Sequence, residues 1–183
     1  MQHGHMEQVG YDTYCKLLDE VVKEMKGIEV KEEQEVQIDL SVSSYIPDEY
    51  IPDASQKIEI YQEIALCRTE QDIANIIDEM IDRYGTMPKE VENLIQIARI
   101  KELCKQTGVI KLMQKTSNIV LVFDNATFSM KLVDLLLQQY KNRIKFSPGK
   151  DPYVTYQLEN LTQEKRLTEM EEVLKCVKKD GVN

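Results

Sequence analysis

The chain has 183 residues, 42% of them apolar and 30% charged, and a net charge of −9 at pH 7. That length makes one domain or two small ones, and it buries roughly 70% of the unfolded surface without a disulfide or metal staple. The composition excludes disordered, collagenous, coiled-coil and disulfide-scaffold chains, and no apolar run approaches the roughly 18 residues a membrane helix needs.

The charge is uneven. Residues 1–107 carry 11 Lys and Arg against 23 Asp and Glu, a net of −12; residues 108–183 carry 12 against 9, a net of +3. The acidic half suits a basic partner surface, or simply faces water. The balance argues against a strongly basic nucleic-acid surface. No basic flank leads into an apolar stretch at the N-terminus, so no secretory signal is expected. Cys15, Cys67, Cys104 and Cys176 form no C-x-x-C pair and read as small buried hydrophobes in a reducing cytoplasm. His3 and His5, without companion ligands, are weak grounds for a metal site.

Tyr11, Tyr14, Cys15, Leu18, Val21, Val22 and Met25 recur at helical spacing, which predicts a helix over 11–26 that Gly27 closes. A charged connector at 29–35 leads to alternation at Val36, Ile38 and Leu40, the pattern of a half-buried strand. Ile46-Pro47 and Ile51-Pro52 impose an extended loop at 45–53, and its Tyr45, Ile46, Tyr50 and Ile51 are too apolar for a free linker.

Three helices are predicted next. The first runs from Gln56 to Arg68. Thr69 with Asp72 forms a capping-box variant opening the second, whose stripe is Ile73, Ile76, Ile77, Met80 and Tyr84 and whose stop is Gly85. Pro88 suits the first turn of the third, which Gly108 closes; Ile97 and Ile100 widen its stripe to that of a central helix.

After Gly108 the period changes. Val109–Met113 and Ile119–Phe123 are predicted strands around a turn at Gln114–Asn118. Met130–Tyr140 is helical, with Leu132, Val133, Leu136, Leu137 and Tyr140 apolar. Arg143–Phe146 and Tyr153–Leu158 make a second strand pair, and Thr162 caps a last helix. The fold class is α+β: a helical N-terminal half, then a small ββαββα sheet covered by two helices.

The chain holds no G-x-x-x-x-G-K-[ST], no G-x-G-x-x-G and no H-E-x-x-H. Ser147-Pro148-Gly149-Lys150 lies between strands and reads as an ordinary turn, not a phosphate cradle. With both histidines at the start, no Ser-His or Cys-His pair is in view. Glu79 and Asp82 lie i, i+3 on the second helix beside Asp78 and ahead of Arg83; two carboxylates on one edge can grip arginines, and the ordinary alternative is a solvated face with Asp82–Arg83 pairing. Tyr153 and Tyr156, near Lys145 and Lys150, are the one place with the aromatic and basic residues of a nucleic-acid surface.

Several motifs together resemble one family. Gln2-His3-Gly4-His5-Met6 with Val9-Gly10-Tyr11-Asp12 and Tyr14 resembles the segment after the second motor lobe of bacterial transcription-repair coupling factors. Tyr45-Ile46-Pro47-Asp48-Glu49-Tyr50-Ile51-Pro52-Asp53 resembles that family's Y-[IL]-P-D-x-[YF]-I-P-D signature, and Ile81-Asp82-Arg83-Tyr84-Gly85 with Pro88 its I-D-R-[FY]-G-x-x-P. Ile97-Ala98-Arg99 and Gly108–Leu112 also fit, and the likeness thins over 114–183.

The resemblance implies a piece of a large cytoplasmic ATP-dependent DNA translocase that displaces stalled RNA polymerase and recruits UvrA for excision repair. Residues 1–35 would be the post-motor helix and connector, and 36–183 the C-terminal regulatory domain. ATP and magnesium would belong to upstream motor domains, leaving this piece with no catalytic, cofactor-binding or metal residues and no enzyme activity. It would dock on the UvrB-like module of the same chain and mask the UvrA surface, with Glu79, Asp82 and Arg83 at the contact. Direct contact of the +3 half with nucleic acid or RNA polymerase is the alternative, and a small stand-alone enzyme a third.

Overall fold

The computed structural model describes residues 35–158 and 161–181. The expected helix over 11–26, the connector except Glu35, Cys15 and the His pair lie outside them. The described chain divides into two compact units: Ser43–Ala98 falls in one, and the segment up to Val42 joins Arg99 onward in the other.

The first unit starts with the two-proline loop. The amides of Tyr50 and Ile51 both donate to the Pro47 carbonyl, at 3.0 and 3.1 Å, so the loop closes on itself. Ile46 and Ile51 are completely buried. The buried Ile46 amide donates to Tyr61 Oη at 2.8 Å, which avoids the cost of an orphaned donor. Tyr50 Oη donates to the carbonyls of Met80 and Gly85, at 3.2 and 2.9 Å.

Three helices follow: α1 (Ala54–Leu66), α2 (Glu70–Tyr84) and α3 (Lys89–Thr107). Helix α1 is displaced two residues toward the N-terminus from the expected Gln56–Arg68. The reason is Asp53, whose carboxylate accepts from the Gln56 amide and caps the helix early. At the other end Cys67 turns extended, and the Thr69–Asp72 capping box opens α2. Ile60, Ile64, Ile73, Ile76, Met80, Val91, Leu94 and Ile95 form one core with Ile46 and Ile51. Burying each such side chain is worth about 1.5–3 kcal/mol. Asn93, the buried polar residue in this unit, donates to the Ser43 carbonyl at 3.0 Å. Gly85, at φ +84°, ends α2 in a conformation open to glycine.

The second unit holds a five-stranded sheet of β1 (Gln37–Asp39), β2 (Val109–Lys115), β3 (Asn118–Phe123), β4 (Ile144–Ser147) and β5 (Tyr153–Gln157), ordered β1-β2-β3-β5-β4. Helices α4 (Met130–Tyr140) and α5 (Gln163–Gly181) complete it, with the residues of α3 from Arg99 on. All pairings are antiparallel except β1 with β2, which is parallel. The expected turn at Gln114–Asn118 shortens to Thr116–Ser117, because Gln114 pairs with Ile119 and Lys115 with Asn118; Thr116 takes φ +50° to close it.

The register sorts the sheet into two faces. Leu112, Leu121, Val154 and Phe146 lie in one cross-strand row, with Ile119, Tyr156 and Ile144 in the next. These pack beneath Leu132, Val133 and Leu136 of α4 and Leu167, Met170, Val173, Leu174 and Val177 of α5, all buried. Leu137, expected on the α4 stripe, is instead 39% exposed. The opposite face carries Lys111, Val122 and Tyr153 in one row and Met113, Val120, Thr155 and Lys145 in the next.

Among the cysteines, Cys104 is buried as expected, and burial pushes its thiol up to about 12. Cys67 and Cys176 are only half-buried, a correction of the all-buried reading. Cys67 sits at the C-cap of α1, where the chain leaves the helix, and a helix end offers less cover than its middle.

Candidate docking face on α1 and α2

Gln56 Oε1 accepts from Tyr84 Oη, and Glu63 hydrogen-bonds Glu79, so α1 and α2 run antiparallel. This pairing sets the expected site residues in context. Glu79 turns toward α1. Its Oε1 accepts from Arg83 Nη1 at 3.0 Å, one helical turn on. Arg83 also lies over the Tyr84 ring, 5.0 Å from its centroid, and Tyr84 meets Tyr50 edge-on at 5.8 Å. The Arg83 guanidinium is thus held by Glu79 and the ring, not by Asp82. The expected local Asp82–Arg83 pair is replaced because i, i+4 neighbours meet on a helix and i, i+1 neighbours do not. Asp82 is exposed, one turn on from Glu79 along α2.

Glu63 is the residue that sequence reading missed. Partial burial, then the hydrogen bond and charge of Glu79, with Glu59 adding repulsion, push its carboxyl up to about 7; Arg83 opposes the shift. Two carboxylates this close cannot both ionise cheaply, and the shift falls on Glu63. The signal lay in the spacing of Glu59 and Glu63 on α1, but only the helix pairing reveals which carboxylates they face. Ile58 and Leu66, 45% and 47% exposed on α1, and Ile81, 48% exposed on α2, put solvent-facing apolar side chains on the same two helices.

This arrangement suits recognition rather than turnover. Exposed carboxylates accept guanidinium forks in bidentate geometry, and the aliphatic side chains supply area that water leaves readily. Among the described residues no three His, Cys, Asp or Glu side chains converge as metal ligands.

The other candidates resolve as structure. Tyr156, expected beside Tyr153 on one surface, is buried on the helix-covered face; it donates to Glu169, which also pairs with Arg143 at 3.0 Å. Arg143 lies 4.9 Å over the Tyr156 ring, and burial first, then the Glu169 hydrogen bond, holds the phenol far above its ordinary range. Strand alternation separates the two tyrosines, since residues 153 and 155 face one side and 154 and 156 the other. Of Ser147–Lys150, Ser147 ends β4 and is half-buried, while Pro148, Gly149 and Lys150 are exposed in the connection to β5.

The two-unit α+β arrangement, with a proline-hooked three-helix unit and a five-stranded sheet, has a close counterpart among solved structures. A crystal structure of the C-terminal domain of a transcription-repair coupling factor superposes with a TM-score of 0.74, covering 80% of this chain and 94% of that one at 20% identity. Residues 40–131 match the TRCF domain model. The transcription-repair-coupling factor of Bacillus subtilis is 42% identical over 109 residues, 59% of this chain and 9% of that protein. The same protein of Staphylococcus haemolyticus is 37% identical over 140 residues, 75% of this chain and 12% of that protein. The chain belongs to the TRCF domain family, and it spans about a tenth of the length of the curated relatives it matches. The matching region is a C-terminal TRCF domain, not a motor domain. Among the described residues no helix is long and apolar enough to cross a membrane.

Proposed function

We propose that this chain is the regulatory C-terminal part of a transcription-repair coupling factor, and that it restrains the whole protein by docking on its UvrB-like module and masking the surface for UvrA. The whole protein acts in the cytoplasm as an ATP-dependent DNA translocase that meets stalled RNA polymerase. Residues 36–183 form the regulatory domain, and 1–35 end the translocase module. The observation that carries this reading is the α1–α2 face, where Glu79 and Arg83 stand beside Glu59 and Glu63, with Asp82 exposed on the same helix as Glu79 and with Ile58, Leu66 and Ile81 exposed on the two helices.

A basic partner surface supplies the complement to this face. Arginines arriving from the partner take over the Glu79 carboxylate that Arg83 now satisfies and favour the ionised form of Glu63. Removing one member of such a desolvated pair costs about 2–5 kcal/mol and acts mainly on dissociation. A contact of that size suits a switch, because a competing partner of comparable affinity overturns it. Within one chain the tether raises the effective concentration, so the interface need not be large.

The test is calorimetric binding of this chain to the separately expressed UvrB-like module at two salt concentrations. Salt-sensitive binding that Glu79→Lys with Asp82→Lys abolishes, without loss of fold, is the expected result. Binding unchanged by the double charge reversal sinks the site. The purified chain is expected to hydrolyse no ATP, and measurable turnover sinks the regulatory reading.

A further inference from the structure

The second unit carries a surface that the proposed docking does not use. The residues facing α4 and α5 are mostly buried, while the opposite face is partly open to solvent. Cross-strand registry puts Lys111, Val122, Tyr153 and Ser147 in one row of that face and Met113, Val120, Thr155 and Lys145 in the next, with Lys115 and Asn118 beyond. Met113, Val122 and Thr155 are half-buried, Tyr153 is 39% exposed, and Lys115 and Lys145 are exposed. The parallel edge strand β1 adds Gln37 and Asp39 beside Lys111 and Met113.

The result is an apolar centre of Met113, Val122 and Tyr153 above the buried Val120, with exposed Lys115 and Lys145 and half-buried Lys111 at its corners and one carboxylate at its edge. Neighbouring strands lie about 4.8 Å apart and alternate residues about 6.6 Å, so the lysines stand well over 10 Å from one another, too far to repel strongly in water. A flat apolar centre ringed by cations is the complement of an amphipathic segment with apolar side chains in the middle and carboxylates at its margins. Single-stranded nucleic acid fits less well. A stacking platform needs several aromatics in a continuous basic groove, and this face has one tyrosine on a chain of net charge −9.

We infer that the open sheet face formed by Met113, Val122 and Tyr153 with Lys111, Lys115 and Lys145 is a docking surface for an acidic amphipathic segment of a partner protein. The apolar centre supplies affinity, and the lysines select against neutral and basic segments and speed encounter. The surface lies within the second unit, independently of the acidic helices of the first.

The test is an NMR titration of the whole chain with a synthetic peptide of alternating leucine and glutamate. Controls are the same peptide with lysine for glutamate, the same with serine for leucine, and an oligothymidylate. Binding is expected in the micromolar range, with amide shifts concentrated on β2, β3 and β5. The serine and lysine peptides should bind at least about tenfold more weakly. Lys111→Glu with Lys145→Glu should weaken the leucine–glutamate peptide by a similar factor while the remaining amide spectrum is unchanged. Tyr153→Ser, a milder variant at an exposed position, should weaken it without altering the salt dependence. No shifts at millimolar peptide, shifts centred elsewhere, or tighter binding of the oligothymidylate would each overturn the inference, the last in favour of a nucleic-acid surface.

Discussion

Glu79 on α2 shares its carboxylate between two neighbours of opposite kind: the Arg83 guanidinium 3.0 Å away on its own helix, and the Glu63 carboxyl on α1. The first contact holds a charge in place. The second raises the Glu63 carboxyl toward neutrality. A face built this way is satisfied without a partner, yet each of its internal contacts is weak enough to be exchanged for a better one.

The Glu63 carboxyl lies well above the ordinary carboxylate range, so the folded state binds its proton more tightly than the unfolded chain. That stabilisation is fully present below 4.5 and is lost as pH rises through about 7. Glu63→Gln should therefore change stability little at pH 4 and raise it at pH 8, by about 1 kcal/mol once solvent screening is allowed for. Urea denaturation at the two pH values checks it, and an equal effect at both would show that the Glu63 carboxyl is not raised in the folded state.

Tyr61 Oη is the acceptor for the buried amide of Ile46. Tyr61→Phe keeps the ring but strands that donor, at a cost of about 1–3 kcal/mol. A fall in the denaturation midpoint with an unchanged m-value is the expected signature. A shift too small to measure would mean that water reaches the Ile46 amide.

The start of α2 depends on a reciprocal cap. Thr69 Oγ1 accepts from the Asp72 amide, and the Asp72 carboxylate accepts from the amides of Arg68 and Thr69. Those backbone hydrogen bonds hold the Asp72 carboxyl below its usual range, so its contribution is present at neutral pH and lost on acidification. Thr69→Ala should cost about 1 kcal/mol, within the range measured for lost N-caps. Thr69→Ser should restore most of it.

Gly108 connects α3 to β2 at φ +75°, and a Cβ there would stand 2.6 Å from Thr127 Oγ1. Gly108→Ala should destabilise the sheet unit by about 2–3 kcal/mol, combining backbone strain with the steric conflict. Adding Thr127→Ala should recover only the steric share and leave about 1 kcal/mol of left-handed strain. Full recovery would mean that the backbone relaxes out of the positive-φ region.

Much of this protein was legible in local sequence because its signals are local. Thr69 and Thr162 announce helix starts through hydrogen bonds to amides three residues on, and Gly85 and Gly108 announce stops through backbone freedom. The apolar stripe at Ile73, Ile76 and Met80 predicts which side of α2 is buried, because helical period converts spacing into a face. The two-proline loop was legible for the same reason: Ile46 and Ile51 are too apolar to leave in water.

Tertiary structure decided what depends on partners distant in sequence. No local signal says that Gln37–Asp39 runs parallel to β2 across some seventy residues, that Glu63 meets Glu79, or that Tyr153 faces solvent while Tyr156 pairs with Glu169. The hydrophobic and capping energies act over one helical turn or one strand pair. The carboxyl pairing and the exposure of the open sheet face arise only when separate elements are brought within a few ångströms of one another, and there a single contact sets both charge state and surface.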